Sequence, residues 1–277
     1  MTIIDTHAHI FPAKIAQAAA EATGKFYATA QTPTRPTLDR MISHGGTSEE
    51  LLSCARDAGI TKLLVFSCAT AAGQVDSIIN FIARECAEHP EFLGAGTMHI
   101  DYPDFEGACD RMLSVGIRGI KLHPDIQGFA VDDPRMLPLY EIMQAKKMYL
   151  ISHTGDNRYN FSNPDKLLHL AELFPRMDFI CAHFAGWSEW DLARHIMRRD
   201  NIFMDTSSTI GFSDPETAQK AFSAFDPTHI FFGTDYPMWD PKTELESILQ
   251  LGLPDEILEG VMHRNFEYFA SRYGQHI

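Results

Sequence analysis

Short β-rich runs alternate with helical patterns along the whole sequence, and this alternation restricts the fold more than any other feature. Each run is rich in β-branched or aromatic residues and is followed by residues with helical periodicity. The candidate strands are Ile3–His7, Lys62–Ser67, Phe92–Met98, Gly119–Leu122, Met148–Ser152, Asp178–Ala182, Ile202–Met204 and Ile230–Phe232. Such alternation predicts parallel strands with helical crossovers, and about eight units close into a (β/α)8 TIM barrel more naturally than into an open sheet.

The helix starts and the length agree with one barrel. The pattern from Thr47 to Glu50 is typical of a capping box, and Pro164, Pro215 and Pro241 stand near predicted helix starts. A barrel of this kind takes about 250 residues, and no low-complexity stretch divides the chain. We therefore expect residues 1–277 to form a single domain.

One segment interrupts the rhythm. Between Phe11 and Gly46 a long stretch containing Pro and Gly separates the first strand from its helix. Long loops in compact enzymes commonly cover active sites. We expect this long loop to lie over the mouth of the barrel, the alternative being a surface loop without function.

Composition excludes several classes of function. The net charge of −14 argues against nucleic-acid binding, which depends on a basic surface. No apolar run approaches the roughly 20 residues of a membrane span, and the N-terminus lacks the pattern of a signal peptide. The five scattered cysteines predict neither disulfides nor a thiolate zinc site. We expect a cytoplasmic protein that acts on a small molecule.

The first strand ends in a pair of histidines. Side chains two positions apart in a strand share a face, so His7 and His9 can both point toward the barrel axis. Histidine is the commonest metal ligand in proteins. Because active sites of these barrels lie at the carboxyl ends of the strands, the pair predicts a metal site there.

Other strand ends also carry polar residues. Chance explains such a ring poorly, although each residue alone could be a cap or an ion-pair partner. The residues are Lys121, His123, His153, His183, Asp205 and Asp235.

Five motifs resemble the amidohydrolase-related branch of the amidohydrolase superfamily, which includes aminocarboxymuconate-semialdehyde decarboxylase and several hydrolases of lactones or amides. The resemblance spans almost the whole chain. The motifs are Asp5-Thr6-His7-Ala8-His9, Gly119-Ile120-Lys121-Leu122-His123-Pro124, Ile151-Ser152-His153, Ala182-His183 and Gly233-Thr234-Asp235-Tyr236-Pro237.

The resemblance implies a set of metal ligands. His7, His9, His153 and Asp235 would bind one divalent metal ion, and His183 would act on the water or the substrate. Three imidazoles and a carboxylate suit catalytic Zn²⁺, with Mn²⁺ or Fe²⁺ as alternatives. Asp235 is our first choice for the general base as well as a ligand, and His183 is the alternative base.

Substrate contacts are predicted from position alone. Arg35 and Arg40 lie in the long segment, while Lys121, His123 and Trp239 follow strand ends. Lys121 either pairs with a carboxylate at the rim or binds a substrate carboxylate.

Three functions are open at this point. The leading one is hydrolysis of a small amide, ester or lactone by metal-activated water. The second is non-oxidative decarboxylation of an unsaturated or aromatic acid at the same site, and the third is a non-catalytic metal-binding barrel. The resemblance also suggests a homodimer, in which the helical segment 254–273 would either seal the barrel or meet the partner.

Overall fold

Eight parallel strands surround the centre of the molecule in the order of the sequence. The computed structural model describes residues 2–28, 45–210 and 215–277. Strands β1 to β8 are Ile4–His9, Lys62–Phe66, Phe92–Thr97, Gly119–Leu122, Tyr149–Ser152, Phe179–Cys181, Ile202–Asp205 and Ile230–Phe231. Their ends agree with the predicted strands to within two residues, and the (β/α)8 barrel is confirmed.

Helices connect the strands on the outside of the barrel. In the described residues, helices α1 to α12 are Ala13–Tyr27, Ser48–Ala58, Val75–Glu88, Phe105–Ser114, Pro124–Gln127, Leu137–Ala145, Pro164–Leu173, Trp190–Ile196, Pro215–Ser223, Pro241–Leu249, Asp255–Glu259 and Asn265–Ser271. The capping box is confirmed, because Thr47 Oγ1 accepts from the Glu50 amide while the Glu50 carboxylate accepts from the Thr47 amide. The three prolines predicted near helix starts are the first residues of α7, α9 and α10.

Helix α1 corrects the prediction of a long loop after the first strand. Ala13–Tyr27 is helical over 15 residues and begins directly after Pro12. Seven alanines between residues 13 and 28 favour this helix, since alanine has the highest helix propensity. The rest of the predicted loop, residues 29–44, lies outside the described residues.

The first and last strands meet where the chain closes the barrel. The amide of Thr6 donates to Phe232 O at 2.9 Å, and the amide of Asp235 donates to His7 O at 2.8 Å. The buried carboxylate of Asp5 adds two bonds, from the Thr234 amide at 3.0 Å and from Thr234 Oγ1 at 2.6 Å. These bonds bring His7 and Asp235 to the same point of the rim.

The C-terminal helix seals the opposite end of the barrel. Phe266 and Phe269 of α12 are fully buried against Phe231, and Phe269 also packs on Phe203 and Tyr149. Segment 254–273 was expected either to seal the barrel or to meet a partner subunit, and the structure shows that it seals the barrel. In the part of the chain that the structure describes, no helix is long and apolar enough to cross a membrane.

Candidate metal-binding active site

The predicted rim residues converge at the carboxyl ends of the strands. His7 and His9 come from β1, Lys121 from β4, and Asp205 from β7. His123, His153, His183 and Asp235 directly follow or closely follow β4, β5, β6 and β8. All of these except His9 are buried, and the His9 side chain is 16% exposed.

Two histidines and one aspartate lie close enough together to hold one metal ion. Asp235 Oδ1 lies 3.4 Å from His7 Nε2 and 3.4 Å from His9 Nε2. Tetrahedral bonds to zinc of about 2.1 Å would separate neighbouring ligand atoms by about 3.4 Å. The donor atoms and their spacing therefore fit a divalent metal ion.

Asp205 holds the first of these ligands. Its Oδ2 lies 2.8 Å from His7 Nδ1, and its Oδ1 accepts from the amides of His183 and Ser207 and from the Ser207 hydroxyl. Burial alone would raise the pKa of Asp205, but the charge and hydrogen bond of His7 outweigh burial and hold it well below its ordinary value. The ionised carboxylate fixes the proton of His7 on Nδ1, which leaves Nε2 free to bind a metal.

Asp235 is held from its other side. Its Oδ2 accepts a hydrogen bond of 2.5 Å from Ser208 Oγ, which in turn accepts from Trp239 Nε1 at 2.8 Å. Burial opposes ionisation of Asp235, but His7, His9 and His183 lower its pKa well below the usual range. Trp239, predicted as a substrate contact, is 6% exposed and reaches Asp235 through Ser208.

The fourth predicted ligand, His153, lies next to His183. Its Nε2 donates to Gly155 O at 3.0 Å, because a carbonyl can only accept, and its Nδ1 lies 3.0 Å from His183 Nε2. The ligand atoms of His7, His9 and Asp235 all lie within 4.8 Å of one another, whereas His153 groups with His123 and Asp125. Burial lowers the pKa of His183 to about 4, so this ring is neutral at pH 7.

Lys121 is a buried lysine among the residues of the rim. Its side chain is fully buried, and Nζ lies 3.1 Å from His7 Nε2 and 4.8 Å from the centre of the Phe66 ring. Burial lowers its pKa from 10.5. Among the described residues no carboxylate lies within ion-pair distance of this ammonium group, so the expected alternative of a rim ion pair finds no partner there.

His123 connects the rim to α1. Its Nε2 lies 2.8 Å from the Tyr27 hydroxyl, and its ring stacks on His153 at 4.0 Å. Arg158 adds a second link, donating to Phe26 O at 2.7 Å while two bonds join it to the Asp156 carboxylate. Helix α1 is therefore fixed at the mouth of the barrel, the place expected for this segment.

A cavity of about 1210 Å³ leads from the rim to the outside. Residues of α1 and α3 line its walls, and His9, Lys121 and Asp235 lie among the strand-end residues at its base. Arg35 and Arg40, both predicted substrate contacts, lie outside the described residues.

Some site residues were missed in the sequence. Ser207 and Ser208 lie two and three residues after Asp205, so the polar run after this strand is the available signal. Tyr27 could not be found, because its position depends on a helix that was predicted as a loop.

The family model described as amidohydrolase matches residues 4–265. The chain belongs to the amidohydrolase family. This confirms the resemblance seen in the motifs, and the chain is an enzyme of this superfamily, which removes the non-catalytic alternative. A sequence search among curated proteins finds no match.

Solved structures support the fold. An uncharacterised TIM-barrel protein from Bordetella bronchiseptica is 20% identical with a TM-score of 0.75, covering 99% of this chain and 100% of the other. The 2,6-dihydroxybenzoate decarboxylase from Rhizobium is 13% identical with a TM-score of 0.71, covering 99% and 100%. The 5-carboxyvanillate decarboxylase from Novosphingobium aromaticivorans, complexed with manganese and 4-hydroxy-3-methoxy-5-nitrobenzoic acid, is 14% identical with a TM-score of 0.72, covering 98% and 96%.

Proposed function

We propose that this enzyme hydrolyses a small amide, ester or lactone with water activated at one divalent metal ion. The observation that carries the proposal is the position of Asp235. Its Oδ1 lies 3.4 Å from Nε2 of both His7 and His9, at the base of a cavity large enough for a small molecule. One carboxylate can therefore contact both the metal and a water molecule beside it.

We propose zinc as the metal, held by His7, His9, Asp235 and His153, with Mn²⁺ or Fe²⁺ as alternatives. The nitrogen and oxygen donors and their 3.4 Å spacing support zinc, while a similar barrel binds manganese. The ion would lower the pKa of a bound water to about 7. His153 Nδ1 lies 3.0 Å from His183 Nε2, beside the other rim residues.

The side chains at the rim have separate roles in the proposed hydrolysis. Asp235 takes the proton of the attacking water as the new C–O bond forms, and passes it to the leaving nitrogen or oxygen as the scissile bond breaks. The neutral His183 ring carries its proton on Nδ1, which lies 3.1 Å from Ser207 O, so its Nε2 accepts a hydrogen bond from the attacking water and orients it. Lys121 and His123 bind the substrate, Lys121 through a carboxylate, and we retain Arg35 and Arg40 as further contacts.

A panel assay tests this function. Zinc-loaded protein is incubated with lactones, esters and amides, and release of acid is followed at constant pH. We expect turnover of members of the panel, and its loss in Asp235→Asn but not in Asp57→Asn, a control in which an exposed helical carboxylate is neutralised. Equal rates in Asp235→Asn and the native protein would refute the role of Asp235.

Decarboxylation is a second candidate because of one observation. Lys121 is a fully buried lysine with no carboxylate within ion-pair distance among the described residues, and a substrate carboxylate would complete this environment. Two similar barrels are decarboxylases of aromatic acids. In that reaction the C–C bond breaks, CO₂ leaves, and the electron pair on carbon takes a proton from the rim.

The two reactions give different products. Conjugated and aromatic acids are incubated with the enzyme in D₂O, and the products are examined by mass spectrometry. Decarboxylation releases CO₂ and adds one deuterium to carbon, whereas hydrolysis adds the elements of water and releases no gas. Carbon dioxide without hydrolysis of any panel compound would replace the first proposal with the second.

The remaining parts of the proposal concern the whole chain. We propose that residues 1–277 are one domain, that the protein is a cytoplasmic homodimer, and that its partner in function is a small molecule. The free cysteines support a reducing compartment.

A further inference from the structure

The cavity extends well beyond the residues proposed for chemistry. Its base holds His9, Lys121 and Asp235, and its walls continue outward between α1 and α3. Its volume of about 1210 Å³ exceeds the roughly 300–1,000 Å³ of ordinary small-molecule pockets. A compound with one ring and a carboxyl group would leave the outer part empty.

Small side chains keep this outer part open on the α1 side. Ile15, Ala18, Ala19, Ala22 and Phe26 recur at helical spacing and line the cavity. The alanines between the two larger residues project only a methyl group, so the middle of the helix leaves room for a ligand. On its other side the helix packs through Ala16 and Gly24, which are buried and do not line the cavity.

The opposite wall comes from α3 and is also mainly uncharged. Ser77, Ile78 and Phe81 face the cavity from this helix. Among the described lining residues the only acidic side chain is Asp235, and the basic side chains are Lys121 at the base, Lys14 on α1 and Arg84 on α3. Arg84 is paired with the Glu85 carboxylate at 2.8 Å. Apart from these two basic residues, the walls present uncharged side chains to a ligand.

We propose that the substrate carries an uncharged apolar arm, an acyl chain or an extended aryl group, that lies between α1 and α3. This inference rests on the proposed function, because it takes the scissile group to lie at Asp235. Ala18 and Ala22 set the length and width of the arm, and they are specificity-determining residues. The groove between α1 and α3 is defined by Ile15, Ala18, Ala22, Ile78 and Phe81.

Linear carboxylates from butanoate to decanoate test the groove without turnover. Their binding to the zinc-loaded protein is measured by calorimetry. Each buried methylene should tighten binding about fourfold, so decanoate should bind at least about 30-fold more tightly than butanoate even if only part of the chain is buried. Equal affinity for all lengths would overturn the proposal.

A matched pair of variants locates the arm. Ala22→Leu fills the groove, whereas Gln17→Leu adds a similar side chain to an exposed position of the same helix that does not line the cavity. We expect Ala22→Leu to weaken decanoate binding at least about tenfold and to leave butanoate within about twofold, and Gln17→Leu to change neither. Equal losses for both acids in Ala22→Leu would place the arm elsewhere and refute the assignment.

Two further outcomes are decisive. If Ala22→Leu changes the sedimentation of the protein but not the binding of decanoate, the groove is a contact between copies of the chain and the proposal is wrong. If the panel of lactones, esters and amides is not hydrolysed but affinity still rises with chain length, the groove stands and the proposed hydrolysis fails. If the panel is hydrolysed but affinity does not depend on chain length, the proposed hydrolysis stands and the groove proposal fails.

Discussion

Replacing Asp205 with asparagine should weaken metal binding although Asp205 is not one of the proposed ligands. The carboxylate serves two sets of donors. Oδ2 accepts from His7 Nδ1 at 2.8 Å, and Oδ1 accepts from the amides of His183 at 3.1 Å and Ser207 at 3.2 Å. An amide has one acceptor oxygen and one donor nitrogen, so it cannot serve both sets.

Each orientation of the amide has a distinct cost. If its NH₂ group faces His7, the proton of His7 moves to Nε2 and blocks the nitrogen that would bind the metal. If the NH₂ group faces the backbone amides instead, two buried donors lose their acceptor, at about 1–3 kcal/mol each. Loss of a carboxylate behind a metal-binding histidine typically lowers affinity 10–100-fold. We expect a zinc affinity about 10–100-fold lower in Asp205→Asn.

Competition with a chromophoric chelator measures this affinity. Asp200→Asn is the control, because it neutralises an exposed carboxylate in the same part of the chain. Urea unfolding of the metal-free proteins measures the loss of stability that unpaired backbone amides in the second orientation would cause. A zinc affinity within twofold of the native value, together with unchanged stability, would refute the role assigned to Asp205.

Four further predictions concern the site and the assembly. The double replacement of His7 and His9 by Ala should abolish binding of about one equivalent of metal, and elemental analysis showing a full equivalent would contradict the ligand pair. His183→Asn should keep the metal and lose about 10²–10⁴ in turnover, and loss of the metal would make His183 a ligand. Sedimentation should show a dimer, and a particle of only 31.2 kDa would be evidence against it. Burial raises the pKa of Asp125 from 3.8 to about 7, so the contribution of this group to stability is lost as pH rises from about 4 to about 7. In urea unfolding of the metal-free proteins, the free energy of unfolding of the native protein relative to Asp125→Asn should fall over that range, and a constant difference would refute the assignment.

Much of the barrel could be predicted because its signals are local. The strand runs and the capping box at Thr47 depend on neighbouring residues, and parallel alternation then dictates where the strand ends meet. Pro and Gly in the surrounding segment predict a loop, and for this reason the sequence does not indicate helix α1. Its alanines were the contrary signal, and the first residue of the helix follows Pro12 directly.

The contacts within the site could be predicted only in part. The position of His7, His183 and Asp235 at one rim follows from strand order. The ring orientation of His153 and the bond from Trp239 to Ser208 depend on side-chain rotamers and on contacts between distant segments. The spacing of residues in one sequence does not predict these contacts. The same holds for Lys121, because its lack of a carboxylate partner among the described residues depends on how the rim packs.

Because β1 meets β8 where the barrel closes, a bound metal would have a second role as a cross-link between these two strands across this seam. Asp5 and Thr234, which are 229 residues apart in sequence, meet next to the ligands from both strands. A metal held by His7, His9 and Asp235 would tie the two ends of almost the entire chain, and cross-links that close long loops restrict the unfolded ensemble most. Opening of the seam would separate Asp235 from His7 and His9, so loss of the ion and unfolding would occur together.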